Sequence, residues 1–254
     1  MKICIFCSGV DSLYAKTVLT STSRIGIRVD ALAYQVTPFH QRLARRIREY
    51  RAGGRLLWQR RQNSSSADPV TPDDVFRSSL LGWCAQNTVQ TYKVHDLNGK
   101  QCQNFLHSIR PDVIVLAGAP IIRFPILKVP PIGVINAHAA VLPYRRGMNV
   151  AEWSVLEEAE LGITVHFVNP GIDLGDIILI SRFDAGRCVS IAQLRDRVRR
   201  ESAMALADAL ECLQTGNYER KTQQRQQGRQ YFAMHPNLRD LTERKLREHH
   251  RKAA

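Results

Sequence analysis

The chain has 254 residues, of which 44% are hydrophobic, 23% charged and 7% aromatic, a composition that excludes a wholly disordered chain, a collagen or a small stapled domain. The net charge of +13 is concentrated in two segments: residues 41–61 hold eight Arg against Glu49, and residues 219–254 hold ten Lys and Arg against four acids. Basic segments of this kind attract nucleic acid, phosphorylated molecules or an anionic partner when they are not simply solvated faces.

No run of about 18 apolar residues occurs, so no membrane-spanning helix is expected. The N-terminal Ile3-Cys4-Ile5-Phe6-Cys7 is too short for a signal peptide and reads as a first buried strand. Ser8 to Ser12 form the following loop. Leu13, Ala15, Val18 and Leu19 then mark a helix, and Val29 to Tyr34 a second strand. Strand, helix and strand in this order predict a parallel sheet. Phe39, Leu43, Ile47 and Tyr50 have helical spacing beneath the Arg cluster, Gln62 to Asp68 reads as a Ser-rich loop, and Thr71-Pro72-Asp73-Asp74 has the form of a helix start. A short strand is predicted at Val89–Val94 and a helix at Gly99–Ile109, closed by Arg110-Pro111. Val113 to Ala117 is a continuous apolar run, as expected of a central parallel strand, and Ile132 to Asn136 reads as another apolar strand. A helix near Val150–Glu158 and strands at Ile163–Val168 and Ile177–Phe183 follow. Ser190 caps a long helix that Gly216 ends. The polar, basic remainder contains one apolar island, Tyr231 to Met234, and a charged stretch from Asp240 that reads as a frayed helix.

Six cysteines are scattered along the chain. Cys4 and Cys7 are three apart on one strand and so face opposite sides, which suits neither a metal nor a redox pair. They predict reduced, structural thiols in a cytoplasmic protein. No metal site is expected.

The residues with the clearest chemistry are Asn136 and His138. Two apart at the end of a strand, they face the same side, and in open α/β sheets ligands bind at the carboxyl ends of the strands. Asp173, in the Gly- and Pro-rich stretch between the last two strands, is placed to orient or charge-balance the histidine.

These residues fall within an ordered series: Asn136-Ala137-His138, Leu142-Pro143-Tyr144-Arg145-Arg146-Gly147, Gly162-Ile163-Thr164-Val165-His166 and Asp173-Leu174-Gly175-Asp176-Ile177. The series resembles the formyltransferases that use 10-formyltetrahydrofolate, a family covering glycinamide ribonucleotide, methionyl-tRNA and nucleotide-sugar N-formyltransferases and 10-formyltetrahydrofolate hydrolases. The resemblance runs from residue 1 to about 215 and is specific from 111 to 180. It departs from the family pattern at Arg145, where an aromatic residue is usual. It implies an α/β, Rossmann-like fold, an open and mostly parallel sheet with flanking helices, over residues 1–215, with 216–254 a short basic C-terminal extension.

By the same resemblance, Asn136 hydrogen-bonds the formyl oxygen, His138 moves protons, and Asp173 holds the histidine's charge state or an ordered water, with no metal. The formyl donor, 10-formyltetrahydrofolate, is expected on Gly118, Ala119, Pro120, Ile121 and Ile122, with Gly171 and Ile172 closing over it. His166 reads as a satisfied strand histidine or a support of that pocket wall.

The acceptor is expected among Ser8, Gly9, Val10, Asp11, Tyr144 and Arg146. The first of these loops resembles the phosphate loop of ATP pyrophosphatases but lacks one of its glycines. Asp11 would set a carboxylate beside any phosphate, which argues against glycinamide ribonucleotide; it receives an amine or caps the helix. A small-molecule primary amine, most simply an amino sugar carried on a nucleotide, is the favoured acceptor. A methionyl-tRNA formyltransferase-like enzyme fits the charge, but residues 215–254 are too few and too polar for a separate tRNA-binding domain. A 10-formyltetrahydrofolate hydrolase would use the same three residues, and an inactive basic binding protein would not need them intact. A nucleic-acid partner is admitted but not favoured, a membrane partner is not expected, and pairing into a homodimer is left open.

Overall fold

The structure, a computed structural model, describes residues 1–36 and 78–253. The helix expected at Phe39–Tyr50, the Ser-rich loop, the helix start at Thr71 and the whole Arg cluster lie outside the described residues.

Seven strands form one sheet. β1 (Ile3–Ser8), β2 (Ala31–Gln35), β3 (Gln90–Val94), β4 (Val113–Leu116) and β5 (Gly133–His138) run parallel, and β7 (Gly162–Phe167) and β8 (Ile177–Arg182) complete the sheet antiparallel, in the order β3-β2-β1-β4-β5-β7-β8. The chain builds outward from β1 in one direction to β3, then returns to the other side of β1 with β4. In doubly wound sheets such a reversal marks the crevice where ligands bind, beyond the carboxyl ends of the strands on either side of it, here β1 and β4.

Both faces of the sheet are covered, which explains the unbroken apolar runs of β1 and β4. One face packs against α1 (Leu13–Arg24), α2 (Leu80–Gln86) and the long α6 (Ile191–Thr215). Ala203, Ala205 and Ala209 of α6 are small and buried, which lets α6 lie close against α1 and the sheet. The other face packs on α3 (Lys100–Ile109) through Cys102, Phe105 and Leu106. Cys4 lies in this second core and Cys7 in the first, as strand alternation requires. Burial pushes the Cys7 thiol up to about 12, so it is an inert apolar group at neutral pH. Among the described residues, all six cysteines are free, and no helix is long and apolar enough to cross a membrane.

The helix ends follow local chemistry. The side chain of Ser12, and not Asp11, caps α1 by accepting from the Ala15 amide. Ser190 caps α6 through the Gln193 amide, and Gly216, at φ 73°, ends it in the left-handed region. The short α4 (Phe124–Leu127) follows β4, and α5 (Val150–Leu156) follows the three-residue β6 (Arg145–Gly147).

Beyond Gly216 the chain returns to the body. Lys221 bridges to Ile177 at the start of β8, and β9 (Arg229–Tyr231) pairs in parallel with β6. The final α7 (Pro236–Ala253) lies against α5, with Thr242 and Leu246 buried. The frayed helix expected from Asp240 is therefore a docked one. Its apolar surface is small, but Leu246 closes a core with Ala151, Leu161, Cys188, Ile191 and Leu194. Within the apolar island only Met234 is deeply buried, and Phe232 stays exposed.

Candidate active site

Asn136 and His138 are the fourth and last residues of β5. Antiparallel pairing sets Asn136 opposite His166 of β7 and His138 opposite Thr164. The loop after β7 then folds back to place Asp173 against the two histidines.

Two glycines make this return feasible. A Cβ on Gly175 would stand 1.7 Å from the Phe167 carbonyl oxygen, so only glycine lets the loop lie on the end of β7. Gly147, at φ 100°, lies so close to β9 that a Cβ would meet the Tyr231 carbonyl oxygen at 2.1 Å. Its amide donates to Asp173 Oδ2 at 2.8 Å.

The carboxylate of Asp173 sits between two imidazoles. Its Oδ2 is 3.4 Å from His138 Nδ1, and its Oδ1 is 3.6 Å from His166 Nε2. His138 Nε2 lies 2.7 Å from the Arg145 carbonyl oxygen, which can only accept, so Nε2 carries the hydrogen and Nδ1 is the nitrogen turned to Asp173. The β6 backbone thus orients the neutral ring, and when Nδ1 takes up a proton it donates to the Asp173 carboxylate, which then holds the ring from the other end.

His166 is almost fully buried. Its Nδ1 lies 2.8 Å from the Phe167 carbonyl oxygen, which fixes the hydrogen on Nδ1 and leaves Nε2 as an acceptor. Nε2 faces the Asn136 Nδ2 at 3.5 Å. Burial, reinforced by the charge of His138 and only partly opposed by Asp173, lowers the His166 pKa to about 4. A neutral His166 therefore receives one N–H of the Asn136 amide and sets its orientation. Neither sequence reading of His166 included this contact. The signal was present in the fixed spacing of the two motifs, which an antiparallel pairing of β5 with β7 turns into adjacency.

The depressed titration carries a stability consequence. Between an unfolded value of 6.5 and the folded value of about 4, the unfolded chain binds the proton and the folded one does not. Stability therefore falls as pH drops through this window and levels off below it, by about 3 kcal/mol in all. Denaturant unfolding between pH 7 and 4 should show this slope in the wild type. His166→Gln should lose that part of it, and an unchanged slope would remove His166 as its source.

The structure places the other expected residues as follows. Gly118, at φ 76°, is separated from the end of β4 by Ala117 alone. Ala119 and Pro120 follow it, and Ile121 is 80% exposed while Ile122 is buried. Asn98, which sequence reasoning did not single out, pins this segment: its Nδ2 donates to the Ile121 carbonyl at 3.0 Å and its Oδ1 accepts from the Arg123 amide at 2.6 Å. The Gly171 amide donates to Asn169 Oδ1 at 2.9 Å, and Ile172 is largely exposed beside Asp173. Ser8 ends β1, and the Gly9 amide donates to the Gln35 carbonyl at 2.9 Å. Val10, Asp11 and Tyr144 are exposed.

Arg146 is placed differently from its expected role as an acceptor contact. It is only 6% exposed, and its Nη2 donates to the carbonyls of Arg225 and Gly228, both at 3.0 Å. A guanidinium buried and engaged in this way serves the C-terminal segment. Arg145 is also resolved by the structure. Its side chain turns away to Glu157, with Nη2 at 2.8 Å, and Tyr231 donates to the same carboxylate. Burial would raise the Glu157 carboxyl, but these hydrogen bonds outweigh it and hold the group below its ordinary value. The departure from the family pattern thus alters the outer packing, while the Arg145 backbone carbonyl serves His138.

An amide donor, an oriented imidazole and a carboxylate converge at the carboxyl end of β5, a constellation suited to acyl transfer. The formyl transferase family model matches residues 1–210, and the chain belongs to this family. It is 29% identical over 140 residues to a methionyl-tRNA formyltransferase from Clostridioides difficile, covering 54% of this chain and 45% of that one. The chain spans about half the length of the relatives of this kind that it matches. Its fold is similar to a glycinamide ribonucleotide transformylase from Symbiobacterium toebii (TM-score 0.58, 20% identity, 88% of this chain and 94% of that chain). It is also similar to an N-formyltransferase from Helicobacter canadensis in complex with folinic acid and dTDP-3-aminofucose (TM-score 0.56, 16% identity, 91% and 71%).

Proposed function

We propose that the chain transfers a formyl group from 10-formyltetrahydrofolate to the primary amine of a small molecule, a nucleotide-linked amino sugar. The observation that carries the reading is the convergence of Asn136, His138 and Asp173 within a fold of this family. The folate supplies a formyl group activated on nitrogen. The segment Gly118–Ile122 fits it: Ile121 leaves apolar surface uncovered beside a backbone that Asn98 holds in place, and Gly171 and Ile172 lie on the loop that carries Asp173.

The roles of the chain's own residues follow from the geometry. Asn136 has a second N–H beyond the one facing His166, and it donates to the carbonyl oxygen as negative charge develops there. His138 accepts the proton that the attacking amine loses and returns it to the departing nitrogen. Asp173 stabilises the charged ring and holds its orientation. On this reading residues 1–215 are the catalytic body.

For the acceptor, exposed Asp11 in the loop after β1 offers a carboxylate to an amine and disfavours a phosphate at that point. The likeness to a fold whose structure holds dTDP-3-aminofucose agrees with a sugar nucleotide. The second reading, formylation of methionyl-tRNA, is favoured by the matched relatives and by the charge of +13. Incubation with 10-formyltetrahydrofolate and each acceptor in turn, with tetrahydrofolate release followed, separates them. Release dependent on a dTDP-amino sugar is expected. Release with methionyl-tRNA alone would replace the acceptor, and release without any amine would assign a hydrolase.

A further inference from the structure

We propose that Gln223, in the C-terminal segment, is a positioning residue for the Asp173 carboxylate. The inference rests on the reading of Asn136, His138 and Asp173 as the formyl-transfer centre.

Asp173 lies at φ 53°, a left-handed conformation that Asp enters more readily than most residues but that is still fixed more firmly by an outside hold. Gln223 supplies that hold. Its Nε2 donates to the Asp173 carbonyl at 3.2 Å and to the Gly175 carbonyl at 2.6 Å, bridging the turn around Leu174. Gln223 is 9% exposed, and its Oε1 has no hydrogen-bond partner among the described residues. An apolar side chain would fill the same space without burying an unpartnered oxygen. The amide is therefore explained by the two carbonyls it holds.

Gln223 is itself firmly placed. Lys221 and Ile177 exchange both backbone hydrogen bonds, at 3.0 and 2.9 Å. The buried guanidinium of Arg146 ties down the carbonyls of Arg225 and Gly228, and β9 then pairs with β6. The residues flanking Arg146 are the ones that touch the centre: the Arg145 carbonyl receives His138 Nε2, and the Gly147 amide holds Asp173 Oδ2. One segment thus supports both members of the His138–Asp173 pair, β6 through strand pairing and the Asp173 loop through Gln223.

The test uses the full chain. Gln223→Met keeps the length of the side chain and removes its donor. The expected result is a fall in kcat of about 10–100-fold with KM for 10-formyltetrahydrofolate unchanged within about twofold, because a small misplacement of a catalytic group acts on the chemical step. The imidazole 15N resonances of His138, assigned by their loss in His138→Gln, should shift. Thr222→Ala, which alters an exposed neighbour, should change neither. If Gln223→Met does not fold, Gln223→Asn, too short to span both carbonyls, is measured instead with the same expectation. A lowered Tm with kcat and the His138 resonances unchanged would overturn the proposal and leave Gln223 a structural residue. If the wild type transfers no formyl group, the functional reading fails, and the His138 resonances alone decide the positioning role.

Discussion

Asn136→Ala lowers formyl transfer by about 10²–10³, the usual consequence of deleting one donor to a developing oxyanion. Asn136 stands at the level of Leu116, the last residue of β4, so its side chain is at the crevice mouth and only half-buried. His166, neutral because burial depresses its titration, takes one of its two N–H bonds and leaves the other for the reacting oxygen. The loss should fall on kcat, since the interaction strengthens as charge develops. Stability should change little, because Asn136 is half-buried and its contact with His166 Nε2 is long, at 3.5 Å. Single-turnover kinetics and a thermal melt of the variant check both statements, and near-normal turnover would remove Asn136 from the mechanism.

His138→Ala should cost about 10²–10⁴ in rate through loss of general acid–base help. It differs from Asn136→Ala in its structural consequences. His138 is buried and joins the Arg145 carbonyl to the Asp173 carboxylate. Its removal leaves a small cavity and an unpaired carbonyl, so about 1–3 kcal/mol of stability should be lost as well. The catalytic effect is separable because His138→Gln refills much of the space yet cannot take up a proton. Equal rate losses in the two variants, with the stability restored only in His138→Gln, are expected. Recovery of turnover in His138→Gln would show that the ring acts by packing and not by proton transfer.

The elements that position the site were legible where burial imposes a simple pattern. β1 and β4 lie between two helical layers, so each is a nearly continuous apolar run, and α6 carries its cap and its glycine stop in the sequence. Asn136 and His138 were readable because they share a face at a strand end. The missing parts depend on partners distant in the chain. β6 is Arg-Arg-Gly and β9 is Arg-Gln-Tyr, neither with any alternation, and they are strands only because each supplies the other's hydrogen bonds. Arg146, at a family motif position, was assigned outward to an acceptor, whereas carbonyls 79 and 82 residues away draw it inward. Gln223 lies in a run of polar residues, Thr222 to Gln227, in which nothing local distinguishes the one buried member from its exposed neighbours. The last helix has few apolar positions, and its docking rests on Leu246 and Thr242 meeting a surface built by α5 and α6.

Formyl-folate is expected to bind at the carboxyl ends of β4 and β5, beside Asn136 and His138. Calorimetric titration of the purified chain with 5-formyltetrahydrofolate, a stable analogue of the donor, tests it most directly. The account predicts saturable micromolar binding at one site per chain, retained in His138→Gln and weakened when Ile121 is replaced by Asp. No binding at millimolar ligand by a chain that gives a cooperative melt would contradict it.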